Sequence, residues 1–202
     1  MLASILSTVS RRLTCTCLLA VLVAALCPSM AFGATPIGWF DYARNGTNTN
    51  GRLTWNYTWG DVPPVYSVYW RAGSGSYLDD RTNGWLPSGW YSIRGHWNNY
   101  YGSAIYGRVW YLSDKRSVKT GVMRTALFIH TEETPSNGQY NPTAGDDPQC
   151  WEGTNDYYSY GCVKVAYGID MNAVHTRWTS YGGSTAHGNT SPYPLGTKLY
   201  VH

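Results

Sequence analysis

The sequence holds one group of residues suited to nucleophilic chemistry, the tetrad Ser-Tyr-Gly-Cys at positions 159–162. Attack by a thiol on a carbonyl needs a thiolate, a base within hydrogen-bond reach, and donors for the oxyanion that forms. Cys162 is the candidate nucleophile, and the backbone amides of Gly161 and Cys162 are the candidate donors. Gly161 leaves room for a substrate to approach the backbone, and Ser159 adds a small polar group. His130, which ends the apolar run Leu-Phe-Ile, is the candidate base.

Other interpretations of these residues stay open at this point. Cys162 and His130 are also consistent with a packed core thiol and a structural histidine. Cys150 and Cys162 would suit a disulfide if the protein is exported, because disulfides persist in oxidising compartments. Loop acids beside His130 and the two cysteines suggest a metal site, but the sequence has neither a paired-cysteine motif nor a His-Glu-x-x-His helix. We therefore predict no metal.

The N-terminal segment has the features of a secretory signal peptide. Arg11 and Arg12 precede an apolar run shorter than a membrane span, and small residues end the segment at Ala31. We predict cleavage after residue 31 and a single domain over residues 32–202. The alternative is an uncleaved signal anchor, because the apolar run is close to the length at which the two cannot be distinguished. Cleavage would remove three of the five cysteines and leave Cys150 and Cys162. The protein is then expected to be secreted or to reside in the cell envelope, with no membrane anchor after cleavage.

Composition narrows the possible partners. Removal of both N-terminal arginines leaves 13 Lys and Arg against 12 Asp and Glu, so no nucleic-acid partner is expected. The chain has 10 Trp and 18 Tyr but 3 Phe. Amphipathic rings in these numbers suit either an exported β protein that contacts sugars or peptides, or a sheet that is simply packed with them.

The elements that must position the tetrad are predicted to be strands. Short aromatic or β-branched runs alternate with Gly, Asn and Pro clusters from residue 35 to about 110, which is typical of antiparallel β structure. Residues 124–130 are predicted to form a buried strand, and residues 161–168 to contain a short one. A long polar segment separates them. Its acidic pairs, Glu132–Glu133 and Asp146–Asp147, suggest either a cation site or ordinary solvated carboxylates. The second interpretation is favoured, because no alternating pattern of oxygen ligands is present. One helix is predicted near Asp170, and a strand closes the chain.

The order of these motifs resembles the L,D-transpeptidase catalytic family, whose cysteine enzymes cross-link or trim peptidoglycan stem peptides. The similarity covers Leu-Pro-Ser-Gly-Trp-Tyr-Ser-Ile at 86–93, Leu-Phe-Ile-His at 127–130, Ser-Tyr-Gly-Cys-Val-Lys at 159–164, and the closing Gly-Thr strand from residue 196. The resemblance implies a mainly β fold, a sandwich or barrel of the L,D-transpeptidase type with one short helix near the C-terminus.

The resemblance also implies a function. A Cys162 thioester would form on a peptidoglycan stem peptide, cut before its terminal D-alanine. An amine would resolve it in a transpeptidase, or water in a carboxypeptidase. No cofactor is implied, the protein is expected to be a monomer, and carbapenems are expected to inhibit it. The alternative is a secreted, non-enzymatic aromatic module that binds the cell wall or carbohydrate and carries a Cys150–Cys162 disulfide.

Four departures from the family pattern refine the expected site. Tyr160 stands where many members have histidine. Thr131 follows His130, and either its hydroxyl or a backbone carbonyl would orient the imidazole. Lys164 replaces arginine or asparagine and would keep positive charge near the thiol. The separation of His130 from Cys162 exceeds the family's usual spacing, which implies an insertion that could cover the cleft.

Substrate contacts complete the predicted site. Four residues are expected to bind substrate: Tyr160, Lys164, Arg124 and Trp151. The predicted catalytic residues are Cys162, His130, Gly161, Ser159 and Thr131. Packing within the fold remains the alternative for Arg124 and for the two aromatic residues.

Overall fold

The computed structural model describes residues 36–59, 62–140, 146–181 and 197–202. These residues belong to one compact unit, Thr35–His202. The predicted signal peptide and residue 196, where the closing strand is predicted to begin, lie outside the described residues. Within the described ranges, no helix combines the length and the apolar character needed to cross a membrane.

Ten strands and one helix make up the described fold. Four long strands come first and a series of shorter ones follows. The strands are β1 (Pro36–Ala43), β2 (Gly51–Trp59), β3 (Val62–Ser74), β4 (Gly89–Tyr101), β5 (Tyr106–Leu112), β6 (Lys115–Arg116), β7 (Met123–Arg124), β8 (Phe128–His130), β9 (Val163–Val165) and β10 (Lys198–Val201). The helix, α1, spans Ile169–Ser180.

Eight of the strands close into a barrel, in the order β1, β10, β4, β5, β8, β9, β3, β2. The pairs β1/β10 and β8/β9 are parallel, and the other barrel pairs are antiparallel. β6 and β7 form a separate two-stranded sheet. Closure removes free sheet edges, because every barrel strand pairs on both sides.

Large side chains fill the barrel interior. On β2, buried Leu53 and Trp55 alternate with more exposed neighbours, as expected for a strand with one face toward a core. Helix α1 packs on the same core through Met171, Val174 and Trp178, which recur at helical spacing. The prediction of a mainly β fold with one short helix near the C-terminus is confirmed for the described chain.

The predicted strand over residues 124–130 is interrupted. Arg124 belongs to β7 and pairs with Lys115, whereas Phe128–His130 form β8 and pair with β5 and β9. Between them Ala126 has a φ of 53°, in the left-handed region that is incompatible with a continuous strand. The break sends the two halves to different sheets, so Arg124 and His130 do not share a strand.

Candidate functional site

The parallel pairing of β8 with β9 brings His130 and the tetrad together. Ile129 is opposite Val163 and His130 is opposite Lys164, so Cys162 lies one residue before the paired segment. His130, Ser159, Tyr160 and Cys162 line one cavity of about 600 Å³. The distant motifs of the sequence thus converge on a common space.

Cys162 lies in an apolar environment and is almost fully shielded from solvent. It is 5% exposed and packs with Val109 and Phe128. Its Sγ donates to the Ala126 carbonyl oxygen at 3.8 Å, and the Phe128 amide donates to the sulfur. Burial raises the pKa of the thiol to about 11; the Phe128 amide and the Arg124 guanidinium act in the opposite direction without offsetting it. At neutral pH the group is a thiol.

The left-handed backbone of Ala126 contributes directly to the thiol's surroundings. An alanine in this conformation costs about 1 kcal/mol relative to a right-handed one. Ala126 lines the cavity, and its carbonyl accepts from the Cys162 thiol. Strain of this kind often accompanies functional sites, which adds weight to this cavity as the candidate site.

His130 is also neutral and is held by the backbone. Its Nδ1 lies 2.9 Å from the Thr131 carbonyl oxygen, which fits a tautomer in which Nδ1–H donates and Nε2 remains the ring's acceptor. Burial lowers the pKa of His130 to about 4. The Thr131 hydroxyl is buried with no hydrogen-bond partner among the described residues. Of the two groups expected to orient the imidazole, the main-chain carbonyl makes the contact and the Thr131 hydroxyl does not.

Ser159 organises the tetrad turn. Its hydroxyl donates to the Cys162 carbonyl at 2.8 Å and accepts from the amides of Gly75 and Gly161 at 3.0 and 3.2 Å. The Gly161 amide, predicted to be an oxyanion donor, is thus engaged by Ser159. Ser159 is placed to position the Cys162 backbone, since its hydroxyl is surrounded by main-chain groups.

The buried guanidinium of Arg124 donates hydrogen bonds to backbone carbonyl groups. The residue is 4% exposed, and Nη1 and Nη2 donate to the carbonyl oxygens of Asp80, Arg81, Gly84 and Tyr160 at 2.9 to 3.3 Å. These contacts contradict the expectation that Arg124 binds a substrate carboxylate, because its donors already have partners. The guanidinium also replaces Lys164 as the positive charge that acts on the thiol.

Gly161 is required by this guanidinium. Its φ is 102°, and a Cβ at this position would come within 1.7 Å of Arg124 Nη2 and 2.9 Å of the Gly84 carbonyl oxygen. The space beside Gly161 is therefore filled by the protein. A substrate cannot approach the Gly161 backbone from the direction that a Cβ would take.

Lys164 points to a set of carboxylates and is not among the residues that line the cavity of Cys162. It is 1% exposed, and its Nζ lies 2.5 Å from Glu132 Oε1 and 2.6 Å from Asp156 Oδ1. The acidic pair Glu132 and Glu133, interpreted from sequence as solvated, is buried. Burial raises the pKa of Glu132 to about 9 and that of Glu133 to about 7. Neither substrate binding nor charge support of the thiol is available to Lys164.

Of the two aromatic residues predicted to bind substrate, one lines the cavity and the other does not. Tyr160 is 75% exposed and lines the cavity, where it can meet a ligand. Trp151 is not among the residues that line it; its ring packs edge-on against Tyr157, at 4.9 Å between centroids. Trp151 also lies 5.4 Å from Lys164 Nζ, so it covers the ammonium.

Both cysteines of the described chain are free thiols. Cys150 is buried, and its Sγ contacts the Trp151 carbonyl oxygen at 3.9 Å. Cys150 lies outside the cavity lining that includes Cys162. The structure therefore does not contain the disulfide of the alternative interpretation.

Sequence reasoning missed two groups of residues around the site. Glu132 and Asp156, which pair with Lys164, lie in a segment without periodic pattern. The backbone groups of Ala126 and Phe128 have no sequence signature at all. Only the position of Glu132, two residues after the candidate base, could have drawn attention to it.

Comparisons with known proteins leave the family resemblance without independent support. No protein-family model matches the sequence, and no curated protein matches it with significance.

Proposed function

We propose that the protein is a cysteine acyltransferase that acts on peptidoglycan stem peptides through a Cys162 thioester. The observation that carries the proposal is the shared cavity of Cys162 and His130, one a buried thiol and the other a neutral imidazole held by a main-chain carbonyl. The order of sequence motifs supplies the substrate class. An exported protein with access to the cell wall would meet this substrate.

The protonation states favour a concerted first step. Because burial keeps Cys162 a thiol and His130 neutral, no thiolate–imidazolium pair exists before substrate binds. As Sγ forms its bond to the amide carbonyl carbon, the thiol proton passes to Nε2 of His130. His130 then gives the proton to the leaving D-amino acid as the C–N bond breaks. An amine or water attacks the thioester and releases Cys162.

A defined stem tetrapeptide tests this function. Mass spectrometry should detect release of D-alanine, together with a cross-linked product or the shortened peptide. Cys162→Ala should lose all turnover and His130→Ala most of it, whereas Cys150→Ala should retain it. Wild-type turnover by Cys162→Ala would refute the nucleophile assignment.

The alternative, a cell-wall or carbohydrate-binding module, is favoured by one surface. Trp90 is 55% exposed, and its ring lies 4.8 Å from that of Tyr200 between centroids. Exposed paired rings can stack on sugars. Sedimentation with insoluble peptidoglycan separates the two functions, because binding through Trp90 would survive Cys162→Ala and be lost in Trp90→Ala.

A further inference from the structure

Four carboxylates converge beside Lys164 of β9. Glu132, Asp146, Glu152 and Asp156 each offer an oxygen, and these oxygens lie within 4.8 Å of one another. Lys164 is the cation that pairs with them in the described chain, through Glu132 and Asp156. Fully ionised, the group holds four negative charges against one positive charge.

The buried member of the group has an oxygen without a partner. Glu132 is 7% exposed and its Oε1 accepts from Lys164, but Oε2 is buried and receives no hydrogen bond from any described residue. Its neighbours in the group are carboxylates, which accept and cannot donate when ionised. A buried acceptor in this position costs about 1–3 kcal/mol unless a proton or a cation satisfies it.

The chemistry and spacing of the group suit a hard divalent cation. All four ligands are carboxylate oxygens, which Ca²⁺ and Mg²⁺ prefer. Oxygens on opposite sides of a Ca²⁺ ion lie about 4.8 Å apart, whereas those around Mg²⁺ lie about 4.2 Å apart. The carboxylate oxygens of the group, which lie within 4.8 Å of one another, leave room for the larger ion.

An ion can reach the group from solvent. Asp146, Glu152 and Asp156 line an open cleft of about 490 Å³, together with Thr154 and Asn155. On the inner side, Glu132 and Asp146 also line the cavity of His130 and Cys162. The group thus forms a wall between the solvent cleft and the candidate site.

We propose that Glu132, Asp146, Glu152 and Asp156 form a Ca²⁺ site. The four ligands come from the start, the middle and the end of the segment between β8 and β9. A bound ion joins these parts to one another and, through Lys164, to the barrel. It also supplies the unpartnered Glu132 oxygen with a ligand bond and reduces the excess negative charge.

Terbium luminescence provides the direct test, because Tb³⁺ replaces Ca²⁺ at oxygen sites and is sensitised by a nearby indole. Trp151 is suitably placed, since its ring lies 5.4 Å from Lys164 Nζ, which contacts two of the ligands. Chelator-treated protein should show saturable emission that Ca²⁺ reverses. Titration calorimetry with Ca²⁺ alone should give one site per chain.

Charge-matched variants distinguish a site from general attraction. Asp146→Asn and Glu152→Gln should each weaken Ca²⁺ binding by at least about tenfold, because each removes a ligand charge. Asp147→Asn removes the same charge one residue away, where its Oδ1 only accepts from the Gln149 amide. This control should bind as the wild type does.

Thermal denaturation supplies a second readout that is independent of emission. Ca²⁺ should raise the melting temperature of the wild type and Asp147→Asn, with little change for Asp146→Asn or Glu152→Gln. Absence of both emission and calorimetric heat would overturn the proposal. Equal loss of binding in Asp147→Asn and Asp146→Asn would also overturn it, in favour of diffuse electrostatic attraction.

Discussion

Arg124 and Lys164 are two buried cations near the candidate site, and they are neutralised in different ways. Arg124 is surrounded by four backbone carbonyls and has no carboxylate partner in the described chain. Lys164 contacts two carboxylates of a larger acidic group. The planar fork of a guanidinium can satisfy several carbonyls at once, whereas a compact ammonium is better neutralised by charge.

This difference explains how the surroundings of the two cations can hold unlike chemistry. The carbonyl dipoles around Arg124 do not cancel its positive charge, and this charge lowers the pKa of the Cys162 thiol. The burial of Cys162 raises that pKa by more, so the thiol stays protonated. Around Lys164 the negative charges of the carboxylates exceed the single positive charge of the ammonium. Bound protons or cations are therefore needed to neutralise the group. The positions of Arg124 and Lys164 in the sequence would not by themselves distinguish these two environments.

Removal of the guanidinium should have the largest effect on stability. Arg124→Met leaves four carbonyls without their donor and should lower the free energy of unfolding by about 4 kcal/mol. Urea denaturation measures the loss. Arg94→Met, which removes an exposed pair with Asp114, is the control and should cost less than about 1 kcal/mol. Equal effects of the two changes would contradict the role given to Arg124.

Removal of the ammonium should have the next largest effect. Lys164→Met leaves Glu132 and Asp156 buried together without a cation and should cost about 3 kcal/mol in the presence of a chelator. Lys119→Met removes an exposed partner of Asp79 and should change stability by less than about 1 kcal/mol. If Ca²⁺ occupies the proposed site, its addition should recover part of the loss in Lys164→Met.

The contributions of His130 and Glu132 to stability should also respond to pH in opposite directions. The folded pKa of His130, about 4, lies below its ordinary value, so its contribution to stability is lost as pH falls from about 6.5 to 4. The folded pKa of Glu132, about 9, is raised by burial, so its contribution is lost as pH rises from about 4.5 to 9.

Paired variants separate these two contributions in chelator-treated protein. The stability of wild type relative to His130→Gln should fall by about 3 kcal/mol from pH 7 to pH 4. Relative to Glu132→Gln, it should fall as pH rises toward 9. Urea denaturation across this range provides the measurement, and the same sign of change for both variants would contradict the assignment.

The smallest effect is expected at Thr131. Thr131→Val removes a buried hydroxyl without a partner and keeps the backbone carbonyl that holds His130. Stability should change by less than about 1 kcal/mol, because no hydrogen bond within the described chain is lost. The pH dependence of turnover should stay unchanged. A shift of the pH profile of turnover in Thr131→Val would instead show that the hydroxyl orients His130.

Much of the framework can be predicted from sequence because it depends on local pattern. Alternation of apolar residues and turn clusters indicates the strands, and the helix at Ile169–Ser180 follows a glycine and carries an acid in its first turn. The meeting of His130 and Cys162 in one cavity follows from the motif order. The break at Ala126 was not predictable, because alanine is an ordinary residue in a strand.

The partners of the buried cations are harder to predict. Arg124 binds main-chain carbonyls, which every residue carries and which therefore leave no trace in the sequence. Lys164 meets acids from an irregular segment, and only the closed barrel brings Glu132 and Asp156 to it. Charge type alone suggested that both cations face substrate, whereas burial gives each of them a structural role.

Intact-mass spectrometry with a carbapenem tests the central claim, a Cys162 thiol activated for acyl transfer, most directly. The account predicts one covalent adduct per chain on reduced, folded wild type and on Cys150→Ala, and none on Cys162→Ala. An adduct that persists in Cys162→Ala, or no adduct on the folded wild type, would contradict it.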